Sequence, residues 1–472
     1  MKNGYLIIDF GTGNTRAAVV SSRGKVIAQS VVDTAYQVEG EDACSFYPAM
    51  LLKNVLEVAR RAVKQAEDTR VVAVSATSTR QGAVLLDKNS EGWLGLPNID
   101  NRGAYLEPQL DGDKIYQLSG RWAMRYFTAL KIRGYFDRYP EKWEKLSQFT
   151  SISDWIGFVL TGNLVYEHSQ ACETLLYDIE KSCWSDELCG LMGIHPKYLP
   201  KLQQSGSLLG YVKGQVADQI GIDKVPFIVG GGDTQVALLA TSAQGGDVAV
   251  IAGTTTPVAM LTDCCQWEPR QRFWTSKHVM AGEYLLETNA GVTGLNYQRF
   301  KQNFLPSISY EQLNQLMQNM EAPKCLCCMS TMEFAAKRSF AFGGFSFPTP
   351  FQADMTPVDL AYAMLVDMAC GIKHNVKVLE EYGQKEGRMV GAGGGLRSSA
   401  FCRIIAGMTG RPLTLCQGFE SASAKGTAHL INTYLGEKED QGDILAVYEP
   451  KEEPWMEDVY GRWLALREKL NS

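Results

Sequence analysis

The 472-residue sequence predicts an α/β protein of two domains. Apolar runs of strand length alternate with segments of helical periodicity. A strand, a glycine-containing turn and a second strand occur together twice, at residues 6–20 and at residues 248–261. The chain is also longer than one ordinary domain. We therefore predict two α/β domains, residues 1–240 and 241–472, each with a hairpin at its start.

The first hairpin begins with "LIIDFGTGNTR", residues 6–16, which at first sight suggests a dinucleotide-binding turn. However, Arg16 stands where the third glycine of that motif belongs, and the segment before the next turn is too short for a parallel crossover. The pattern therefore predicts an antiparallel meander with a third strand at 26–30, and it excludes a nicotinamide-dependent oxidoreductase. Gly24-Lys25 is followed by valine, which also excludes a Walker loop.

The later elements follow from the same kinds of pattern. Helical spacing of apolar residues predicts a helix within 46–66, and a buried strand follows at 71–76. The segment "VPFIVGGGDTQ", residues 225–235, predicts a strand that enters a glycine turn. Thr356-Pro357 predicts a capped helix that ends near Tyr382. Residues 388–410 predict a strand, a glycine turn and a helix from about Ser398.

Composition narrows the class of protein. A net charge of -6 with mixed signs lacks the basic footprint of a nucleic-acid or anionic-membrane binder. No apolar run approaches the roughly 18 residues of a membrane span, and the N-terminal run is too short for a signal peptide. Twelve cysteines without the spacing of a small disulfide domain lead us to expect free thiols in the cytoplasm. Cys325 and Cys328 have zinc-ligand spacing, but packed thiols are the favoured interpretation because nothing nearby completes the set.

Four motifs in series resemble those of the FGGY carbohydrate kinases: "DFGTGNTR", "GGGDTQ", "GTTTPVAM" and "GAGGGLRSSAF". The resemblance covers nearly the whole chain. It implies two ribonuclease-H-like (actin-like ATPase) domains with a cleft between them that binds ATP, Mg²⁺ and a small polyhydroxylated substrate. The N-terminal domain would hold the substrate and the catalytic base, and the C-terminal domain would bind the nucleotide. The oligomeric state stays open, with a homodimer as one alternative.

Within the family, "SATSTRQGAVLLD" and "PNIDNRG" look most like segments of the autoinducer-2 kinases, which phosphorylate linear dihydroxypentanedione at its terminal hydroxyl. A xylulose, gluconate or glycerol kinase is the alternative within the family. An actin-superfamily ATPase or an inactive binding protein is the alternative outside it. The presence of both Asp9 and Asp233 argues against the inactive protein.

The resemblance implies a role for each of these two aspartates. Asp233 is the predicted catalytic base and a metal-binding and substrate-binding residue, because a positioned carboxylate can accept the hydroxyl proton late in phosphoryl transfer. The alternative is a purely structural role for Asp233, as a turn or helix-capping aspartate. Asp9 is a predicted direct or water-mediated Mg²⁺ ligand, since Mg²⁺ keeps most of its waters and takes one or two carboxylates. Its alternative is a turn aspartate.

The remaining predicted contacts fall into two groups. Two phosphate turns, at 11–14 and 253–255, and the segment 393–398, which corresponds to the family's adenosine motif, supply the predicted nucleotide contacts. These are Gly11, Thr12, Gly13, Asn14, Gly253, Thr254, Thr255, Gly393, Gly394, Gly395, Arg397 and Ser398. Polar side chains at strand ends supply the predicted acceptor contacts: Thr79, Arg80, Gln81, Asn98, Asp100 and Asp233. A direct pair between Arg80 and Asp100 is the alternative for those two residues.

Overall fold

The first half of the chain forms a six-stranded sheet in the computed structural model, which describes residues 2–382, 387–437 and 443–470. Its strands are Lys2–Phe10 (β1), Asn14–Val20 (β2), Val26–Asp33 (β3), Thr69–Ser78 (β4), Leu208–Tyr211 (β5) and Pro226–Gly232 (β6). β1, β2 and β3 are successive antiparallel neighbours, which confirms the predicted meander. β4 runs parallel to both β1 and β6.

Helices of the first half connect and cover these strands. The helix Pro48–Gln65 (α1) buries Leu51, Val55 and Val58 against the sheet, as the helical spacing of its apolar residues predicts. A small separate sheet contains Ala83–Leu86, Gly92–Leu96 and Gln148–Thr150. The helices of seven residues or more are Pro48–Gln65 (α1), Gly112–Ser119 (α2), Thr128–Arg138 (α3), Ile152–Thr161 (α4), Asp186–Met192 (α5), Gly214–Ile220 (α6) and Asp233–Leu239 (α7).

The second half forms a seven-stranded sheet. Its strands are Val248–Ile251 (β7), Thr255–Thr262 (β8), Trp274–Lys277 (β9), Tyr284–Val292 (β10), Met389–Ala392 (β11), Leu413–Cys416 (β12) and Ile444–Tyr448 (β13). The spatial order β3-β2-β1-β4-β6 of the first sheet recurs here as β10-β8-β7-β11-β12. The antiparallel and parallel pairings recur with it, so the chain contains one sheet arrangement twice.

The long helix of the second half confirms the prediction from Thr356-Pro357. Thr356 caps its N-terminus in a capping box with Asp359, and Pro357 occupies the first turn. The helix ends at Glu380, close to the predicted end at Tyr382. The helices of this half with seven residues or more are Gly294–Phe304 (α8), Tyr310–Met317 (α9), Pro357–Glu380 (α10), Ser399–Thr409 (α11), Ala422–Leu435 (α12) and Trp455–Leu470 (α13).

The predicted glycine turn before Asp233 is wrong. Gly230, Gly231 and Gly232 lie within β6, and α7 starts directly at Asp233. A Cβ atom at Gly230 would lie 1.9 Å from the carbonyl oxygen of Ala76 on β4. The glycines therefore allow close approach of neighbouring backbone in the sheet.

The two halves interlock. Ala428 and Ile431 of α12 pack with Tyr5 and Ile7 on the first sheet, although they come from the far end of the chain. Trp274 and its neighbours join an aromatic cluster that belongs mainly to the first half. The predicted domain boundary at residues 240 and 241 falls in the connection between α7 and β7, and it stays a prediction.

The cysteine cluster lies in the second core. Cys325, Cys327 and Cys328 are buried there among apolar side chains. Within the described ranges, no three histidine, cysteine or acidic side chains come together as a metal site. Nor does any helix within those ranges combine the length and the apolar character needed to cross a bilayer.

Gly426 provides a test of the interlocked packing. A Cβ atom at this position in α12 would lie 1.6 Å from the carbonyl oxygen of Val236 in α7. We expect Gly426→Ala to lower the free energy of unfolding by about 1–3 kcal/mol through overpacking, measured by urea denaturation. Gly461→Ala is the matched control, since a Cβ at that helical glycine meets nothing within 4 Å and alanine favours a helix by up to about 1 kcal/mol. An equal gain in the free energy of unfolding of both variants would contradict the close contact between Gly426 and Val236.

Candidate active site

A cavity of about 560 Å³ lies where the two sheets meet. Residues from the ends of strands in both halves line it, so its walls depend on the interlocked arrangement. The structure brings many of the predicted site residues to this one space. Those that line it are Asp9, Gly11, Thr12, Thr79, Arg80, Gln81, Asn98, Asp233, Gly253, Thr254, Thr255 and Gly393.

Asp233 lies on the cavity wall at the first position of α7. The Thr234 N–H donates to Asp233 Oδ1 at 2.7 Å, which holds the carboxylate at the start of the helix. Burial raises the pKa of Asp233 above its ordinary value, and the nearby guanidinium of Arg80 opposes that shift. A carboxylate with a raised pKa is a stronger proton acceptor than an exposed one.

Asp9 also lines the cavity, near the end of β1, where it pairs with Arg16 on the neighbouring strand β2. Burial raises the pKa of Asp9 to about 6; Arg16 lowers it and Asp233 raises it further. The charge of Asp233 thus disfavours the charged form of Asp9, and both carboxylates line the same cavity. Such a pair suits a hard cation that brings its own water ligands.

The two hairpins contribute unequally to the cavity. The Gly11 N–H donates to the Asn14 carbonyl at 2.9 Å and closes the first turn, while the Gly253 N–H donates to the Thr255 carbonyl at 3.0 Å and closes the second. Gly13 and Asn14, predicted to contact phosphate, are not among the residues that line the cavity. Arg16 was not a predicted site residue, since in the sequence it marks only the absence of the third glycine of a dinucleotide-binding turn. Arg16 instead lines the cavity, and its buried Nε has no partner within the described ranges.

The adenosine motif reaches the cavity through Gly393. This residue has φ 101°, and a Cβ atom there would lie 2.4 Å from the Ala252 carbonyl oxygen, so only glycine suits the position. The Ser398 hydroxyl is used elsewhere, because it caps α11 and donates to Asn314 Oδ1 at 3.0 Å. Of the predicted contacts in this motif, Gly394, Gly395, Arg397 and Ser398 do not line the cavity.

Arg80 connects the two halves beside the cavity, among the predicted acceptor contacts Thr79, Gln81 and Asn98. Its two terminal nitrogens donate to the two carboxylate oxygens of Glu287 at 2.5 and 2.8 Å, and it also contacts Glu173 at 3.4 Å. Glu287 lies on β10 and is fully buried. The alternative pair of Arg80 with Asp100 is therefore wrong.

The predicted acceptor contact of Asp100 is also wrong. Its carboxylate is fully buried, accepts from Arg102 Nε at 2.9 Å and from the Cys44 N–H at 2.8 Å, and does not line the cavity. The Asp100–Arg102 pair thus stabilises the loop after Asn98. Asn98, Ile99 and Asn101 of the same loop do line the cavity, and of these only Asn98 was a predicted acceptor contact.

Asn98 and Thr79 offer unused polar atoms to the cavity. Asn98 Nδ2 donates to Thr12 Oγ1 at 3.0 Å, which links the acceptor loop to the first phosphate turn. The buried Asn98 Oδ1 and Thr79 Oγ1 have no hydrogen-bond partner in the part of the chain that the structure describes. Buried polar atoms are normally paired, so these two atoms are suited to receive a polar ligand.

The N-terminal domain of the FGGY family of carbohydrate kinases matches residues 4–240, and the C-terminal domain of the same family matches residues 248–433. The chain belongs to the FGGY family of carbohydrate kinases. The predicted resemblance is confirmed, and this chain is a carbohydrate kinase.

Individual FGGY relatives agree with this assignment. YoaC of Bacillus subtilis, provisionally named a sugar kinase, is 37% identical over 98% of this chain and 96% of its own. The autoinducer-2 kinase of Salmonella typhimurium is 28% identical over 64% of this chain and 59% of its own. The crystal structure of Plasmodium falciparum glycerol kinase with ADP matches at a TM-score of 0.87 with 17% identity, over 99% of this chain and 98% of that one. The predicted pair of ribonuclease-H-like domains with a cleft between them is thereby confirmed.

Sequence reasoning missed one whole wall of the FGGY cleft. Met124, Tyr126, Trp274, Met332 and Phe334 line the cavity, and the ring contact between Trp274 and Phe334 belongs to the aromatic cluster of the first half. Nothing in the local sequence marks these residues, because each reads as an ordinary core side chain. Glu287 did carry a signal, since it is the one acidic residue in the strand "YLLETNAGV" and directly follows two leucines.

Proposed function

We propose that this FGGY kinase transfers the γ-phosphoryl group of ATP to a primary hydroxyl of a small sugar-like acceptor. The observation that carries the proposal is the position of Asp233, in one cavity with both glycine-threonine turns and with the polar acceptor residues. Phosphoryl transfer needs in-line placement, charge neutralisation and a base for the attacking hydroxyl. The cavity offers residues suited to each need.

Asp233 is the proposed base. A sugar hydroxyl is a far weaker acid than a carboxylic acid, so its proton moves to the carboxylate only as the new O–P bond forms. Burial raises the pKa of Asp233 and so favours that transfer. The Thr234 N–H keeps Oδ1 in place, which leaves Oδ2 for the acceptor hydroxyl.

The nucleotide would be held from both sides of the cavity. The turns at Gly11–Thr12 and Gly253–Thr255 present backbone amides and hydroxyls to phosphate oxygens, and Arg16 adds a positive charge. Gly393 would let the adenosine lie against backbone. The glycerol kinase with ADP, which shares this fold, supports a nucleotide in the cleft.

Asp9 and Asp233 would hold Mg²⁺, directly or through water. Both carboxylates line the cavity, the charge of Asp233 raises the pKa of Asp9, and two carboxylates suit a cation that also binds phosphate oxygens. When bound, the ion neutralises charge on the transferring phosphoryl group. Closure of the cleft over both substrates would exclude water and so suppress hydrolysis of ATP.

The proposed acceptor is dihydroxypentanedione, the autoinducer-2 precursor. The similarity to autoinducer-2 kinases supports it. The apolar wall of Met124, Trp274 and Phe334 supports it too, because the methyl end of this molecule could be buried there, whereas a fully hydroxylated sugar would leave hydroxyls against apolar side chains. Xylulose, gluconate and glycerol are the alternatives within the family, and nucleotide hydrolysis or binding alone is the alternative outside it.

The test is ADP release from MgATP across a panel of dihydroxypentanedione, ketopentoses, aldonates, erythritol and glycerol. We expect the release to depend on the acceptor and to be fastest with dihydroxypentanedione. A ketopentose or an aldonate as the best acceptor would overturn the substrate assignment while supporting the kinase. ADP release that no acceptor stimulates would instead favour an ATPase or a binding protein.

A further inference from the structure

Lys131 is a buried lysine that the proposed chemistry does not use. It lies on α3, its side chain is fully buried, and it is not among the residues that line the cavity. Burial lowers the pKa of Lys131 to about 7, although nearby Asp100 opposes the shift. An ammonium group is costly to bury, so the contacts that compensate it indicate its role.

Those contacts lead to both acceptor loops. Lys131 Nζ donates to the Gln81 carbonyl oxygen at 3.0 Å and to the Pro97 carbonyl oxygen at 2.8 Å. Gln81 follows Arg80 at the end of β4, and Pro97 directly precedes Asn98. One ammonium group therefore joins two loops that come from different strands and that both line the cavity.

The Gln81 loop needs such support. Gln81 has φ 68°, a left-handed conformation that is unfavourable for a residue with a side chain. Its carbonyl oxygen also accepts from Thr128 Oγ1 at 3.2 Å, so two side chains of α3 hold the same strained residue. On the other loop, Asn98 donates onward to Thr12 in the first phosphate turn.

We propose that Lys131 is a positioning residue, which fixes the Gln81 loop and the Asn98 loop at the separation that the acceptor requires. It does so through two backbone carbonyls and without touching the acceptor. The consequence for catalysis rests on the proposed kinase function. The rigidity of the two loops does not depend on that function, and it can be measured without turnover.

The kinetic test is Lys131→Met, which keeps the length of the side chain and removes its donors. We expect the KM for the acceptor to rise by about 10- to 10²-fold, because small displacements of positioning groups are costly. The KM for ATP should stay within about twofold, since the nucleotide turns do not contact Lys131. Lys145→Met is the matched control, as this exposed lysine on Pro140–Lys145 packs over Trp93. An unchanged acceptor KM, or an equal rise in both constants, would overturn the proposal.

Hydrogen–deuterium exchange gives the second readout. We expect Lys131→Met to speed exchange at residues 79–82 and 97–101 and to leave residues 250–256 unchanged. Unchanged exchange at both acceptor loops would overturn the positioning role, even if no acceptor in the panel supported turnover and the proposed function had failed. If Lys131→Met does not fold, Thr128→Val removes the other donor to the Gln81 carbonyl, and the same selective rise in exchange at 79–82 is expected.

Discussion

Replacing Asp233 with asparagine is expected to lower kcat for phosphoryl transfer by about 10²–10⁴-fold, the usual contribution of a general base. Asparagine has the same shape and its Oδ1 can keep the hydrogen bond from the Thr234 N–H, but it cannot take up the acceptor's proton. The variant should still bind ATP, because the two phosphate turns are unchanged. Acceptor-dependent ADP release measures kcat, and calorimetric titration measures the affinity for ATP.

The same variant should be at least as resistant to heat as the parent protein. Burial raises the pKa of Asp233, so its charge at neutral pH opposes folding, and a neutral side chain removes that cost. Loss of turnover with equal or higher Tm is the pattern expected when a residue serves function rather than stability. Asp218→Asn, at an exposed position on α6, is the control and should change neither quantity. Near-normal kcat in Asp233→Asn would show that another group accepts the proton.

The hairpins and the long helix could be predicted because their signals are local. Thr356-Pro357 marks the start of α10 by capping chemistry, and the two glycine-threonine turns follow runs with strand character. The glycines before Asp233 were wrongly predicted to form a turn. A glycine that admits a neighbouring strand looks the same in sequence as a glycine in a turn, and only the contact with Ala76 distinguishes them.

The acceptor end could be predicted only in part because its partners are distant in sequence. Arg80 and Glu287 are separated by 207 positions, and the pair forms only when β10 of the second half meets β4 of the first. The sequence predicted Arg80 and Asp100 as acceptor contacts and offered a direct pair between them only as the alternative. Neither interpretation could identify Glu287, because only the fold brings it to Arg80.

Removing Arg121 is expected to cost about 3–5 kcal/mol of the free energy of unfolding, the usual effect of breaking a buried ion pair from one side. Arg121 and Glu173 are both fully buried, and Arg121 Nη2 lies 2.6 Å from Glu173 Oε1. Arg121 Nη1 also donates to the Thr275 carbonyl oxygen at 2.7 Å, so the same side chain ties the first half to β9. Arg121→Met would leave the Glu173 carboxylate buried with weaker support from Arg80 and Gln81.

The pH dependence of this cost has a definite sign. Burial alone would raise the pKa of Glu173, but Arg121 and Arg80 outweigh it and hold the pKa below its ordinary value. Without Arg121 we expect burial to outweigh Arg80 and to raise the folded-state pKa of Glu173 above its unfolded value, so that the folded variant takes up a proton more readily than the unfolded chain as the pH falls. The stability difference between Arg121→Met and the parent should therefore be larger at pH 8 than at pH 5, in urea denaturation at both values.

A second substitution separates two contributions to the stability lost in Arg121→Met, the buried charge of Glu173 and the lost packing of Arg121. Glu173→Gln added to Arg121→Met removes the uncompensated carboxylate, so the double variant should recover part of the lost stability and lose the pH dependence. Arg61→Met is the matched control, since Arg61 and Glu57 form an exposed pair on α1 worth only about 0.3–0.5 kcal/mol. A cost in Arg121→Met that is as small as in Arg61→Met, or that does not change between pH 8 and pH 5, would mean that the Glu173 charge does not depend on Arg121. The contact between the first half and β9 would then rest on the packing of Trp274 with Phe127 and Trp122.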